Sequence, residues 1–534
     1  MINVSSRLNG IGEYYFSSKL REIEELNKAG HQVINLGIGS PDLPPHPSVV
    51  EALHQEAAKP NTHAYQSYKG SPLLRNAVSA WYKKWYQVDV DPNAEVLPLI
   101  GSKEGIMHIC MTYLDQGDAA LVPNPGYPTY TSAVKLAGGE VLPYRLDETH
   151  DWHPDINAWK QMIALYNAES SGKVKLLFLN YPHMPSGQLP DKQLLQEIID
   201  FAKANNILIV HDNPYSFILN NDPLSLFAFD KNKEVVVELN SLSKSHNMAG
   251  WRVGMVVGSS AHINAILRFK SNMDSGMFLP VQVAAAKALQ LGKQWFDEVN
   301  EIYAQRKEQA LVLLDLLGCN YSKSQVGMFV WARIPEQYAS GFELSDAVLE
   351  KARVFITPGG IFGDAGNEYV QGTRKLVQND LPIIGKYGVN EEGSGDMYYK
   401  GGNLVHLIKQ LFNDDEKFRM ALREMNKRFY HATTTSAAVE QFWSEQLKRD
   451  LSPLFDQYLR STKIPTLEIQ KNGNKIKYRW SDCNSNFNIP IRVFVDGQTK
   501  WLEPITEWKE FTLKEKISTI EPDKNFFVGF AVLQ

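Results

Sequence analysis

An α/β domain on a mostly parallel sheet, followed by a small α+β unit, a helical segment and a C-terminal β segment, is the architecture this sequence predicts. Three observations predict it. Short apolar runs alternate with amphipathic helical stretches from Val33 to Val257, long helical segments prevail from Met273 to Phe362, and after Gly363 the pattern turns to helices and then strands. Apolar runs separated by helix-length crossovers are what parallel strands buried on both faces require.

The runs are VINLGIG, EVLPLIG, AALVPN, KLLFLN, ILIVHD, VVVELNS and GMVVGS. Between them Leu194, Ile198, Ile199 and Ala202 recur at helical spacing, which gives a crossover helix one apolar stripe. Met328–Trp331 and Val354–Thr357 read as strands of the smaller unit. Leu404 to Leu459 reads as a run of amphipathic helices, one opened by Asn413 with Glu416 in the manner of a capping box. In the tail, TLEIQ and KIKYRW flank Asn472-Gly473, a hairpin turn signal, and IPIRVFV and FFVGFAVL follow. No Pro/Gly/Ser-rich spacer separates the two patterns near residue 363.

A chain of 534 residues has room for about three to four domains. Its 43% hydrophobic and 22% charged residues, with a net charge of -5, exclude a disordered chain and argue against a basic nucleic-acid binder. Cys110, Cys319 and Cys483 stand too far apart in sequence for a disulfide framework or a four-thiolate zinc site. The first residues lack a signal-peptide pattern, and no apolar run reaches the roughly eighteen residues of a membrane span. The expectation is a cytoplasmic protein with no membrane and no nucleic-acid partner.

The most informative segment is Ser241-Leu-Ser-Lys-Ser-His-Asn-Met-Ala-Gly-Trp-Arg252. Lys244 after a strand, with Ser241 before it and Arg252 beyond, suits a Schiff-base lysine beside a phosphate, its pKa lowered by burial and neighbouring cations. A surface loop with solvated charges is the other reading. Asp212 ends the apolar run ILIVHD, where ligands of parallel sheets bind, and Tyr215 follows it. Alone they read equally as a helix cap and a core phenol. Gly101-Ser102-Lys103 opens a helix whose N-terminal N–H groups suit a phosphate. Tyr127, in NPGY, suits stacking on a planar ring or packing in the core.

Together these segments resemble the class I/II aminotransferases, pyridoxal-phosphate enzymes of fold type I, over residues 1–363. The resemblance implies pyridoxal 5'-phosphate as cofactor and amino acid and 2-oxo acid substrates. It also implies a large domain at about 46–275 and a small domain from about 1–45 and 276–363, with its C-terminal end missing. On matching positions Lys244 is the Schiff-base lysine and general base, Asp212 the partner of the pyridine nitrogen, and Tyr215 the donor to the ring oxygen. Ser102, Lys103, Ser241 and Arg252 surround the phosphate, Tyr127 stacks, and Asn180 belongs to the cofactor site. Tyr65 matches a tyrosine that reaches the neighbouring subunit's phosphate, which implies a homodimer. Gly39 lies in the segment that closes over the substrate carboxylate, and GSKEGI is similar to the branch containing LL-diaminopimelate and alanine aminotransferases. Met184 stands where the family usually has an Asn that donates to the cofactor ring oxygen. Gln371 stands where the family has an Arg that grips the substrate carboxylate.

Residues 364–534 resemble a different family, the zinc aminopeptidases typified by aminopeptidase N. The likeness lies in NEYVQGTRKLVQNDLPIIGKYGVN, SGDMYYKGGNLVHLIKQL and DLSPLFDQYLRSTKIPTLEI. It implies a helical fragment of a catalytic domain at 364–462 and a β-sandwich at 463–534. Tyr398 matches the tyrosine that stabilises the oxyanion in those enzymes, but no H-E-x-x-H segment is present, so no metal is expected and Tyr398 is expected as a buried structural phenol. The predicted function is amino-group transfer, impaired by Gln371. The alternatives are a non-catalytic or cofactor-binding-only chimera, joined near residue 363 as at a gene-assembly junction, and a metallo-aminopeptidase.

Overall fold

The first eight strands among the described residues are β1 (Ile34–Asn35), β2 (Val96–Leu99), β3 (Ala119–Asn124), β4 (Glu140–Arg145), β5 (Val174–Leu179), β6 (Leu208–Asp212), β7 (Val236–Ser241) and β8 (Gly254–Val257). These belong to a computed structural model that describes residues 5–8, 15–338, 340–363, 373–385, 393–496, 498–513 and 519–533. Seven of the strands make one sheet in the order β2-β8-β7-β6-β5-β3-β4. All its pairs are parallel except those of β8, which runs antiparallel to both β2 and β7.

Alternate residues of the parallel strands feed two core layers. Leu121, Leu177, Leu179 and Ile209 pack on one side, and Ala120, Val122, Leu176, Phe178 and Val210 on the other. A strand buried on both faces needs apolar residues at every position, which is why these runs are continuous in sequence. The helix Lys192–Asn205 supplies the expected stripe, with Ile198, Ile199 and Ala202 buried; Asp191 caps its start and Asn206, at φ 54°, ends it.

Three expectations need correction. VINLGIG does not join the main sheet: only Ile34–Asn35 is extended in a ladder, parallel to β11 (Val354–Phe355). Met328–Trp331 forms no strand. The Gln325 side chain accepts from the Trp331 N–H at 2.6 Å and donates to its carbonyl at 2.8 Å, replacing a ladder partner. The short pairing there joins β9 (Asn320–Tyr321) to β10 (Ala332–Arg333). Asn413 opens no helix. It ends Asp396–Phe412 in the left-handed region at φ 49°, and the Asp414 carboxylate accepts from the Lys417 N–H at the start of Asp415–Arg428.

By packing, the chain divides into residues 1–336 with 341–364, and residues 337–340 with 365–534. The second unit contains helices Asp396–Phe412, Asp415–Arg428, Ser436–Leu447 and Ser452–Leu459. Its strands are β12 (Thr466–Asn472), β13 (Lys475–Ser481), β14 (Ile491–Val495), β15 (Gln498–Leu502), β16 (Lys509–Thr512), β17 (Ile520–Pro522) and β18 (Gly529–Leu533). They form a four-stranded sheet, β16-β13-β12-β18, and a three-stranded one, β15-β14-β17. Gly473, at φ 63°, makes the turn between β12 and β13. Both sheets and the helices share a core that includes Leu407, Phe442, Tyr458, Trp480 and Ile491.

Candidate active site

The carboxyl ends of the parallel strands deliver the polar side chains. Asn180 follows β5, Asp212 ends β6, and Ser241 ends β7 and leads directly into the short helix Leu242–Ser245 that carries Lys244. All of them line a cleft of about 1370 Å³, together with Gly39, Ser102, Lys103, Tyr127, Tyr215 and Arg252.

Asp212 is 4% exposed. Its Oδ2 accepts from the Tyr130 hydroxyl at 2.8 Å, whereas Oδ1 is buried with no hydrogen-bond partner among the described residues. Burial pushes this carboxyl up to about 6, against the opposing pull of the Tyr130 hydrogen bond and of His211. The Asp212 backbone is held as well: Asn180 Nδ2 donates to its carbonyl at 2.6 Å, and Asn180 Oδ1 accepts from the Met184 N–H at 2.7 Å. Asn180 therefore fixes two segments of the cleft wall, and Met184 lines the same wall.

Lys244 Nζ donates to the Gly39 carbonyl at 2.5 Å. Burial, assisted by the Arg252 charge, brings its pKa down to about 8. An amine so shifted is neutral in a useful fraction near neutral pH, as a nucleophile or proton carrier must be.

Gly101 precedes the helix Ser102–Tyr113 with φ 87° and ψ 158° and offers no side-chain cap. The N–H groups of the first turn are thus open to an anion, and the helix dipole favours one there. A Cβ on Gly101 would lie 2.2 Å from Arg252 Nη2, so glycine is what lets the guanidinium lie against this helix start. Ser241 Oγ accepts from the Ser243 N–H at 3.1 Å and donates toward Ser243 Oγ at 2.9 Å, on the same side of the cleft. Tyr127 heads the helix Pro128–Leu136, with its ring edge-on to Tyr130 at 5.5 Å. Tyr215 is buried against Phe329, ring centroids 5.1 Å apart.

Two predicted residues, Tyr65 and Tyr398, do not line this cleft, and a third is not among the described residues. Tyr65 is 93% exposed and does not line it. Gln371 lies outside the described residues. Tyr398 is in the second unit and is 74% exposed, which corrects the expectation of a buried phenol: on Asp396–Phe412 it falls on the face away from Leu404, Leu407 and Ile408. The reading from sequence also missed Tyr130 and Phe329. Tyr130 had a signal, since it stands three residues after Tyr127, and that spacing puts both on one side of a helix start.

A cleft of this kind fits pyridoxal phosphate on its own chemistry: an uncapped helix start with an arginine against it, an amine of lowered pKa, and a buried carboxylate oxygen without a partner. A family model described as aminotransferase class I and II matches residues 31–368. The LL-diaminopimelate aminotransferase of Dehalococcoides mccartyi is 38% identical over 372 residues, covering 69% of this chain and 94% of that protein. Its counterpart from Halothermothrix orenii is 39% identical over 369 residues, covering 69% and 93%. Among solved structures, substrate-bound BacF from Bacillus subtilis superposes with a TM-score of 0.64 at 34% identity, covering 70% of this chain and 98% of that one. The chain belongs to the class I and II aminotransferases, the pyridoxal-phosphate-dependent enzymes that move an amino group between an amino acid and a 2-oxo acid.

Proposed function

We propose that the cleft around Lys244 carries out the transfer, with each residue in the role its surroundings support. When bound, pyridoxal phosphate supplies an electron sink for the charge left when the substrate Cα–H bond breaks. Lys244 holds the cofactor and then moves the proton at its Nζ, because burial and the Arg252 charge bring its amine down to about 8. Ser102, Lys103, Ser241 and Arg252 bind the phosphate at the helix start. Tyr127 orients the ring by stacking, and Tyr215 donates to the ring oxygen, the position at which Met184 offers no donor. The observation that carries the reading is the partnerless Oδ1 of Asp212, which pairs with a protonated ring nitrogen.

Gly39 places the backbone segment that covers the substrate carboxylate, and Gln371 is proposed as a neutral substitute for a carboxylate-binding arginine. The exposure of Tyr65 supports its role at a neighbouring subunit's phosphate, and so a homodimer. LL-diaminopimelate, named in the relatives at 38% and 39% identity, is the donor to assay first. A large domain at 46–275 with a small domain from 1–45 and 276–363 completes this reading, as does a cytoplasmic location, which three free cysteines support.

For residues 364–534 we propose a fragment of the zinc aminopeptidase type, its two sheets packed as a β-sandwich at 463–534 and joined to the aminotransferase without a linker. The missing H-E-x-x-H segment supports the absence of hydrolysis.

Borohydride reduction of the full chain with pyridoxal phosphate, followed by peptide mapping, tests the central assignment. The label is expected on Lys244; label on another lysine overturns it. Amino acids added one by one to the unreduced protein then identify the donor by the change in its visible spectrum.

A further inference from the structure

Tyr130 is 1% exposed. Its ring stacks on Phe178 at 4.8 Å and 18° and meets Tyr127 edge-on, so the phenol is fixed between the strand floor and the cleft wall. Burial and the neighbouring Asp212 carboxyl push its pKa far up, which keeps the phenol neutral and its single proton available for Asp212 Oδ2. A carboxylate desolvated this completely favours the protonated form unless hydrogen bonds to the charged form oppose it. Only one such bond is present at the Asp212 side chain among the described residues, and Tyr130 makes it.

We propose that Tyr130 is a positioning residue for the cofactor: its hydroxyl holds the Asp212 carboxylate ionised and engages Oδ2, leaving Oδ1 as the one acceptor open to the ring nitrogen. The inference rests on the reading of Asp212 as partner of that nitrogen. Without the phenol, the carboxylate loses its donor at Oδ2, and neither oxygen keeps a hydrogen bond among the described residues. It then protonates at higher pH, and a protonated carboxyl does not hold the ring nitrogen in its charged form. The other titratable groups near this carboxylate are His211 on its own strand, itself bound to Glu238 at 2.9 Å, and Tyr215, Tyr127 and Lys244 around the cleft. Asp212 Oδ1 has no partner among the described residues, and the donor at Oδ2 is Tyr130.

The test is the affinity of the full-length apoprotein for pyridoxal phosphate, read by quenching of tryptophan fluorescence from pH 5 to 9, for wild type, Tyr130→Phe, Asp212→Asn and the double variant. Tyr130→Phe is expected to bind about tenfold more weakly than wild type at low pH, as a one-unit rise in the Asp212 pKa dictates, and to approach wild type at high pH. In the Asp212→Asn background the same substitution is expected to change affinity less than twofold. A pH-independent loss, an equal loss in both backgrounds, or no loss would overturn the role of Tyr130 while leaving that of Asp212 intact. If Asp212→Asn alone binds like wild type at every pH, the reading of Asp212 falls and the role of Tyr130 falls with it.

Discussion

The guanidinium of Arg252 lies so close to Gly101 that a methyl group there would stand 2.2 Å from Nη2. Gly101 also adopts φ 87° and ψ 158°, a region that is essentially glycine-only and costs other residues about 1–3 kcal/mol. Gly101→Ala therefore combines backbone strain with displacement of Arg252 from the helix start. The variant should unfold more easily by an amount in that range and bind pyridoxal phosphate at least tenfold more weakly. Binding titration beside a denaturant curve separates the two effects, and unchanged affinity would remove Arg252 from the phosphate site.

Lys244 should react as an amine with a pKa of about 8, far below the ordinary 10.5 for lysine. Trace labelling of the apoprotein with acetic anhydride across pH, with mass spectrometry of the Lys244 peptide, reads that value directly. Since Arg252 contributes to the lowering, Arg252→Gln should move the midpoint upward. A downward or absent movement would mean that burial alone sets it.

Much of this site was legible because it sits where chemistry and fold coincide. Asp212 and Lys244 follow continuous apolar runs, and the ends of buried parallel strands are where such residues meet a ligand. The strand β4 was not legible. It lies at the sheet edge, is mostly part-exposed and contains Pro143, so neither a continuous apolar run nor clean alternation marks it. Met328–Trp331 misled because its apolar pattern suits a strand, while the backbone N–H and carbonyl of Trp331 are satisfied by one side chain, Gln325. Tyr130 was overlooked for a related reason: a buried phenol has no signature in sequence until the carboxylate it meets, 82 positions further on, is placed beside it.

The second unit has a core of its own, and Trp480 lies within it at 2% exposure, its indole N–H donating to the Ile489 carbonyl at 3.0 Å. Trp480→Ala should cost about 3–5 kcal/mol of that unit's stability. Affinity for pyridoxal phosphate, whose proposed ligands all lie in the first unit, should stay within twofold of wild type. Calorimetry with a parallel cofactor titration checks both. A matching collapse of cofactor affinity would show that the first unit depends on the second for its fold.

Asp212 has a stability cost that its proposed role explains. Its folded-state pKa is raised from 3.8 to about 6, with burial the main cause. Between those values the folded chain binds more protons than the unfolded one, so stability falls as pH rises through the window, and the cost is complete above about 6. At neutral pH the penalty approaches about 3 kcal/mol at most. Asp212→Asn, which keeps the shape and still accepts from Tyr130, removes the charge without opening a cavity. The apoprotein variant should therefore be more stable than wild type at pH 7.5, by about 1–3 kcal/mol, and no more stable near pH 3.5, where the wild-type carboxyl is protonated in the fold. The cofactor should reverse the order at neutral pH, because only the aspartate pairs with a charged ring nitrogen and binding to the folded state adds directly to stability. Denaturant unfolding at the two pH values, with and without pyridoxal phosphate, gives all four comparisons. An asparagine variant that is less stable than wild type without cofactor at pH 7.5 would show that the buried carboxylate is compensated within the protein itself, and that its open Oδ1 is not waiting for a positive partner.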